Sequence, residues 1–214
     1  MLFRTAMIIN FLVFSLTVAL ADKLPVTYGS VIKLQHQKSN YLLSANEAHW
    51  GSGSNQQIVT AMAGDERTTW QVFSSRKDSK KQGEPIRCNS NINFVHTKFK
   101  CYLHSHPIES LLSNGLQVSC HKPHDYNDDF FVFCKGKYWT TETPVKIKHE
   151  KTGRYLSTDQ KYVFGSNNCG QNCPILRELE VFGKTKGDYE WIANQGLFFN
   201  EQKSEEINNV KKEL

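Results

Sequence analysis

Val145-Lys146-Ile147-Lys148-His149-Glu150-Lys151-Thr152-Gly153-Arg154-Tyr155-Leu156-Ser157 is the stretch that decides the fold. Its first five residues alternate apolar and polar, the period of a strand with one buried face. Gly153 marks a tight turn, and Tyr155-Leu156-Ser157 opens a second strand. The pattern recurs twice upstream. Ile32-Lys33-Leu34-Gln35-His36 leads to Tyr41-Leu42-Leu43-Ser44, and Ile92-Asn93-Phe94-Val95-His96 leads to Tyr102-Leu103-His104-Ser105. Each copy runs on to an aromatic residue. Trp70 and Phe130 stand 34 residues beyond His36 and His96, while Trp191 stands 42 beyond His149, so the third copy carries an insertion.

Units that each carry one apolar strand face bury it against one another, which predicts one pseudo-threefold domain and not three. Turn-rich stretches separate the strands: Gly51 to Asn55, Ser113-Asn114-Gly115 and Gly165 to Asn168. No long segment keeps a helical apolar period, so the expectation is all-β. The polar segment Ser74 to Gly83, with Lys77, Lys80 and Lys81, reads as a surface connection between copies one and two.

Composition agrees with a globular chain. Of 214 residues, 39% are hydrophobic and 22% charged, which excludes a collagen-like or wholly disordered protein. The 26 basic and 21 acidic residues are spread along the chain with no basic block, so no nucleic-acid partner is expected.

The two ends read as an address. Arg4 is the sole charge before Asp22, Ala6 to Leu20 is mostly apolar, and Ala19-Leu20-Ala21 has the small-x-small pattern of a signal-peptidase site. Residues 1–21 are therefore expected to be a cleaved signal peptide. The apolar run is shorter than the roughly 20 residues of a membrane span, and no membrane span is expected in the mature chain. Removing Arg4 leaves 25 basic against 21 acidic residues, a formal +4. The chain ends Lys211-Lys212-Glu213-Leu214, similar to the signal that a retrieval receptor reads on lumenal proteins of the endoplasmic reticulum. Lys212 reverses the usual acidic charge, so weak retention and secretion is the alternative. The polar run before it predicts a flexible tail over 200–214.

His149-x-x-Thr152-Gly153-Arg154-Tyr155-Leu156 resembles the signature of MIR domains, found in protein O-mannosyltransferases and in inositol-trisphosphate and ryanodine receptors. Over residues 26 to about 198 the chain resembles the stromal cell-derived factor 2 family. The matches are Val26 to Ser30, Trp50 to Gln57, Tyr102 to His106, Asp128-Asp129-Phe130 and Gly136-Lys137-Tyr138-Trp139. The departures are Phe130, which stands where that family has Trp, and the insertion from Cys169 to Leu176. The resemblance implies a β-trefoil of three MIR repeats, at about 26–80, 85–138 and 139–198, within a domain spanning 22–199.

The lumenal compartment permits disulfides. Cys88 and Cys134 match cysteines of the family and are expected to pair. Cys101 and Cys120 flank a hairpin and are expected to face each other across it. Cys169 and Cys173 would staple the insertion, or form a redox pair, although their spacing exceeds Cys-x-x-Cys by one residue. Six cysteines allow 15 pairings, so spacing alone does not choose among them.

The three strand histidines, His36, His96 and His149, could be pseudo-equivalent metal ligands, but each lies on an apolar strand face and reads better as a packed, hydrogen-bonded core residue. His104 with His106, and His121 with His124, read as solvated or turn residues. Asp128 and Asp129 are neighbours that a strand would point to opposite faces. No nucleophile elbow, phosphate loop or zinc-protease motif is present, and no metal, cofactor or catalytic set is expected.

The resemblance implies a non-enzymatic quality-control protein of the endoplasmic reticulum lumen. Its expected partners are a J-domain co-chaperone, the lumenal Hsp70 and misfolded clients. Trp50, Tyr138 and Trp139 are candidate partner anchors, with barrel plugs as the competing reading. The alternative is a mannose-binding lectin-like module using His149, Lys151, Thr152, Gly153 and Arg154 as a ligand loop; the same residues read better as a tight turn in which Gly153 supplies positive φ.

Overall fold

The computed structural model describes residues 23–64 and 66–199. The expected leader and retrieval signal lie outside the described residues. Twelve strands carry the fold: β1 (Val31–His36), β2 (Leu42–His49), β3 (Gln57–Met62), β4 (Thr69–Ser74), β5 (Ser90–His96), β6 (Tyr102–Glu109), β7 (Leu116–His121), β8 (Phe130–Phe133), β9 (Val145–His149), β10 (Tyr155–Val163), β11 (Leu179–Lys184) and β12 (Glu190–Leu197). Among the described residues there is one short helix, α1 (Ser166–Cys169), which leads into the insertion.

The strands pair so that the sheet closes on itself as a barrel. β1, β4, β5, β8, β9 and β12 pair antiparallel in a continuous cycle that returns to β1. The hairpins β2–β3, β6–β7 and β10–β11 project from it, and β3, β7 and β11 pair with one another across one end. Alternation explains the ring. In β1, Ile32, Leu34 and His36 are buried while their neighbours are not, and β9 does the same with Val145, Ile147 and His149. The inward faces merge into one core with Val72, Phe94, Val132 and Ala193.

Each strand-ending histidine packs on the aromatic of the preceding copy, cyclically. Trp70 meets His96 at 4.8 Å between ring centroids, Phe130 meets His149 at 4.9 Å, and Trp191 meets His36 at 5.1 Å. Hydrogen bonds repeat with the same spacing. The Nε2 atoms of His36, His96 and His149 lie 3.1, 3.0 and 3.0 Å from the carbonyls of Asp188, Arg67 and Asn127. Each of those carbonyls belongs to the residue three before the aromatic. A carbonyl only accepts, so Nε2 carries the proton and Nδ1 accepts. Nδ1 of His36 takes the hydroxyl of Ser39 at 2.9 Å, and Nδ1 of His149 takes that of Thr152 at 2.9 Å. Nδ1 of His96 takes the Phe99 amide at 3.2 Å. These three histidines are neutral latches between copies. The indoles add a second tie: Trp70 and Trp191 donate to the carbonyls of Leu43 and Leu156 at 3.0 and 2.9 Å. Phe130 has no N–H, so the second copy lacks this bond.

The hairpin register corrects the alignment by one residue. Leu42, Tyr102 and Tyr155 occupy the equivalent position opposite Gln35, Val95 and Lys148. Tyr41 therefore belongs to the first turn, not to the strand.

Two of the three proposed anchors are internal. Trp139 is 0% exposed, its backbone bonds to Val26 and Ile86, and it lies 6.4 Å from the Phe94 ring. Trp50 is 2% exposed and donates its indole N–H to the Val118 carbonyl at 3.2 Å. Trp50 joins Ile58, Phe164 and Ile175 in a second apolar cluster, against which Cys169 and Cys173 pack. The insertion thus covers the hairpin end of the barrel. The reason for the correction is area: an indole exposes so much apolar surface that a closed barrel gains by burying it. Truncating either tryptophan to alanine costs roughly 3–5 kcal/mol.

The three disulfides are Cys88–Cys134, Cys101–Cys120 and Cys169–Cys173. Thiol titration in denaturant without reductant should find almost none free; a count near the full six would overturn all three bonds. Replacing Cys101 and Cys120 by alanine opens a loop with a separation of 19 residues and should cost roughly 3 kcal/mol in a urea melt.

The latches predict a pH dependence. Burial pushes His149 down from 6.5 to about 4, and burial likewise lowers His36 and His96. The unfolded chain then binds protons that the folded chain refuses. Stability should be intact above pH 6.5, fall steadily as the pH drops, and lose the His149 share in full below about 4. That share is roughly 3 kcal/mol. Urea midpoints across this window should fall less steeply in His149→Gln than in the parent chain.

Candidate functional site

The loop from His149 to Arg154 folds as a tight turn. The His149 carbonyl accepts from the Gly153 amide at 3.0 Å, and the Arg154 carbonyl accepts from the His149 amide at 2.8 Å. Gly153 has φ +68°, the left-handed region where a Cβ is disfavoured. Thr152 spends its hydroxyl on the His149 ring. Arg154 lines a cleft of about 200 Å³, which it shares with Asn114, Leu116 and Lys184.

Tyr138, the third proposed anchor, is half-buried, with Lys137 and Arg87 over its ring at 5.0 and 5.9 Å. The more extensive aromatic surface lies elsewhere. Phe131 and Phe133 on β8, Tyr155 at the start of β10 and Tyr189 before β12 run side by side. Successive rings are 6.1, 6.4 and 4.8 Å apart. Lys148 and Lys146 on β9 stand over Tyr155 and Tyr189 at 5.6 and 5.0 Å. Register explains the assembly: Phe131 faces Lys148 and Phe133 faces Lys146 across β8–β9, and Tyr155 faces Lys148 across β9–β10. Two clefts of about 360 and 450 Å³ flank it and share Lys146 and Glu190. In the sequence the residues on β8, β9 and β10 are merely the outward half of strands, and Tyr189 is a residue of the segment before β12.

A third cluster is buried. His104 lies on β6 and is 1% exposed, so it is neither solvated nor in a turn. Leu103, His104 and Ser105 are all buried, so β6 is covered on both faces here: Leu103 joins the barrel core, and His104, on the opposite face, lies under the segment before β8. His104 Nδ1 donates to Asp128 Oδ1 at 2.8 Å and lies 3.7 Å from Asp125 Oδ1. Asp128 Oδ2 accepts from the Asp125 amide at 2.6 Å and lies 3.9 Å from His124 Nε2. The rings of His106 and His121 are 5.2 and 4.9 Å from that of His104, and His124 stacks on Tyr102 at 4.2 Å. His106 on β6 and His121 at the end of β7 therefore sit in strands, and His124 alone lies between strands.

The electrostatics follow the packing. Burial acts to raise the Asp125 carboxyl, but the Asn127 amide and the His104 and His121 rings hold it below its ordinary value. Burial, and then His104, push His106 down. Asp129 faces away, taking Asn93 Nδ2 at 3.0 Å, and burial followed by Glu150 raises it. The two adjacent aspartates do point to separate partners, though they precede β8 and are not within it. This cluster was hidden in the sequence because cross-strand pairing assembles it: Tyr102 stands opposite His121 and His104 opposite Ser119. The available signal was the close spacing of His104, His106, His121, His124, Asp125 and Asp128.

No helix among the described residues is long and apolar enough to cross a membrane. No family model matches the chain. It is 33% identical over 182 residues to the stromal cell-derived factor 2-like protein of Arabidopsis thaliana, covering 81% of this chain and 80% of that one. It is 33% identical over 181 residues to human stromal cell-derived factor 2, covering 81% and 82%. The crystal structure of the SDF2-like protein from Arabidopsis thaliana superposes with a TM-score of 0.76 at 31% identity, over 83% of this chain and 98% of that one. With that identity sustained over four-fifths of the relatives' length, the chain belongs to the stromal cell-derived factor 2 family.

Proposed function

We propose that this protein is a non-enzymatic accessory of a J-domain co-chaperone and lumenal Hsp70, which together keep misfolded clients soluble in the endoplasmic reticulum. In this reading the barrel is a β-trefoil of three MIR repeats. The expected leader and the Lys211 to Leu214 signal hold it in the lumen through a retrieval receptor. Family membership supports the reading. The observation that carries its mechanism is the ladder of Phe131, Phe133, Tyr155 and Tyr189 flanked by Lys146 and Lys148. Partly exposed aromatics on a closed, disulfide-linked sheet are already ordered, so docking them costs little conformational entropy. The ladder takes over the anchor role that Trp50 and Trp139, being buried, do not fill.

Crosslinking in intact secretory vesicles, followed by affinity purification, should recover a J-domain protein. Phe133→Ser combined with Tyr155→Ser should cut that recovery by about tenfold, the loss of one aromatic hot spot, without lowering the melting temperature comparably. Absence of any J-domain protein from the purified material would defeat the proposal.

A mannose-binding module is the second reading, favoured by the cleft where Arg154 meets Lys184. It expects saturable mannoside binding that Arg154→Ala abolishes. A featureless titration leaves the chaperone-accessory reading alone.

A further inference from the structure

The buried cluster around His104 is not demanded by the fold. Counting from the latch histidines, His104 occupies the place of Ser44 in the first copy and Ser157 in the third, eight residues after His36 and His149. Counting back from the closing aromatics, Asp128 occupies the place of Thr68 and Tyr189, two residues before Trp70 and Trp191. Two copies therefore complete the same corner with neutral residues. The second copy places there a histidine and a carboxylate that are 1% and 0% exposed. A buried carboxylate is costly unless a positive charge compensates it.

Around this pair the donor atoms are arranged as ligands. The Nδ1 atom of His104 and carboxylate oxygens of Asp125 and Asp128 all lie within 4.8 Å of one another. The individual separations are 2.8 Å from His104 Nδ1 to Asp128, 3.7 Å from His104 Nδ1 to Asp125, and 3.9 Å from His124 Nε2 to Asp128. Ligands at zinc bond lengths stand about 3.3 Å apart along a tetrahedron edge. The two His104 separations bracket that value, whereas His124 approaches the other Asp128 oxygen, lies outside the group of three, and has to swing inward to become the fourth ligand. Two nitrogens also lack any employment. His124 Nε2 and His106 Nε2 are shielded from solvent and have no hydrogen-bond partner. Buried polar atoms are nearly always paired, and of these two nitrogens that of His124 faces the Asp128 carboxylate, where a cation would employ it.

We propose that His104, Asp125, Asp128 and His124 form a zinc site. Two carboxylates balance the charge of the divalent ion and two imidazoles complete a tetrahedral set, so the bound site is neutral. Asp125, with 40% of its side chain exposed, and His124, with 26%, provide the path of entry. On binding, the His104 ring changes tautomer: the proton leaves Nδ1 and is carried on Nε2, so Nδ1 becomes the donor atom of a neutral imidazole and the Asp128 carboxylate turns from acceptor to ligand. Asp129 is not a ligand, because Asn93 holds it on the other side. The site ties β6 to the segment that enters β8, where the second copy lacks an indole hydrogen bond. Its role is to fasten that corner, not to catalyse.

The test uses the full mature chain, untagged, with its disulfides intact and metals stripped by chelator. Titration with zinc chloride should show one ion bound per chain and a raised melting temperature, and cobalt(II) in its place should give the visible absorption of a tetrahedral site. Asp125→Asn combined with His124→Gln changes only the partly exposed ligands and keeps the oxygen that caps Asn127. It should weaken zinc binding at least about tenfold, the usual lower effect of disturbing a ligand set. Its near-ultraviolet circular dichroism without metal should match the parent, and His49→Gln, at an exposed distant histidine, should bind zinc normally. No saturable binding by the parent chain, or binding that the double variant retains, overturns the proposal.

Discussion

The contact on which the rest depends is the buried histidine that ends the first strand of each copy and packs on the closing aromatic of the copy before it. A closed sheet has no free edge, so its closure must be fixed by something other than edge pairing. The latch does this three times. Each imidazole spends both nitrogens, one on a carbonyl before the aromatic and one on its own turn. A protonated ring would add a second donor where an acceptor is needed. Burial therefore keeps the rings neutral, and the same burial makes the fold sensitive to acid. The stability of the closure and its pH dependence have a single cause.

The strand alternation and the spacing of histidine to aromatic were legible because they are local: period two reports a buried face without knowledge of what covers it. The latch partners were also implicit, since three copies with one interior histidine each must share one interior. Where the reading failed, the missing information was non-local. Aligning Tyr41 with Tyr102 put the first hairpin one residue out, because the turn after His36 is a residue longer than the alignment assumed. His104 looked like a turn residue because its inward face is created by the Asp125–Asp129 segment, which is distant in sequence. Trp50 and Trp139 are ambiguous in any sequence, since size and polarity suit an anchor and a plug alike. Only the second cluster under the insertion and the Phe94 neighbourhood decide for burial.

Burying the tryptophans has a consequence for recognition. The more exposed large apolar side chains, among them Leu111, Tyr126, Leu176 and Leu197, are scattered, whereas the partly exposed Phe131, Phe133, Tyr155 and Tyr189 are gathered where β8, β9 and β10 adjoin. Lysines across the register shield the rings by stacking over them, which limits aggregation while leaving the faces available to a competitor. The same geometry keeps Lys146 beside Glu190 between two clefts, so polar contacts border the aromatic ladder. An interface of this kind is apolar at its centre and charged at its rim, the ordinary anatomy of a specific protein contact.

Recurrence of residues along the chain then separates what the barrel needs from what this chain has added. Residues that recur in all three copies, the inward aliphatics and the latch histidines, are there for closure. The additions break the symmetry, each in one copy. The third copy adds a disulfide-stapled insertion whose Ile175, together with Phe164 just before it, seals the hairpin end against Trp50 and Ile58 of the first. The second replaces the indole by Phe130 and brings histidines and carboxylates into the corner beneath it. Losing an indole N–H weakens one tie between hairpin and ring, and neutral side chains at His104 and Asp128 would have left that corner like the other two. A histidine and a carboxylate instead bring charge into the copy with the weakest tie. That combination makes sense when a cation supplies the missing bond, and it is the reason the second copy, and not the first or third, is where metal dependence is to be sought.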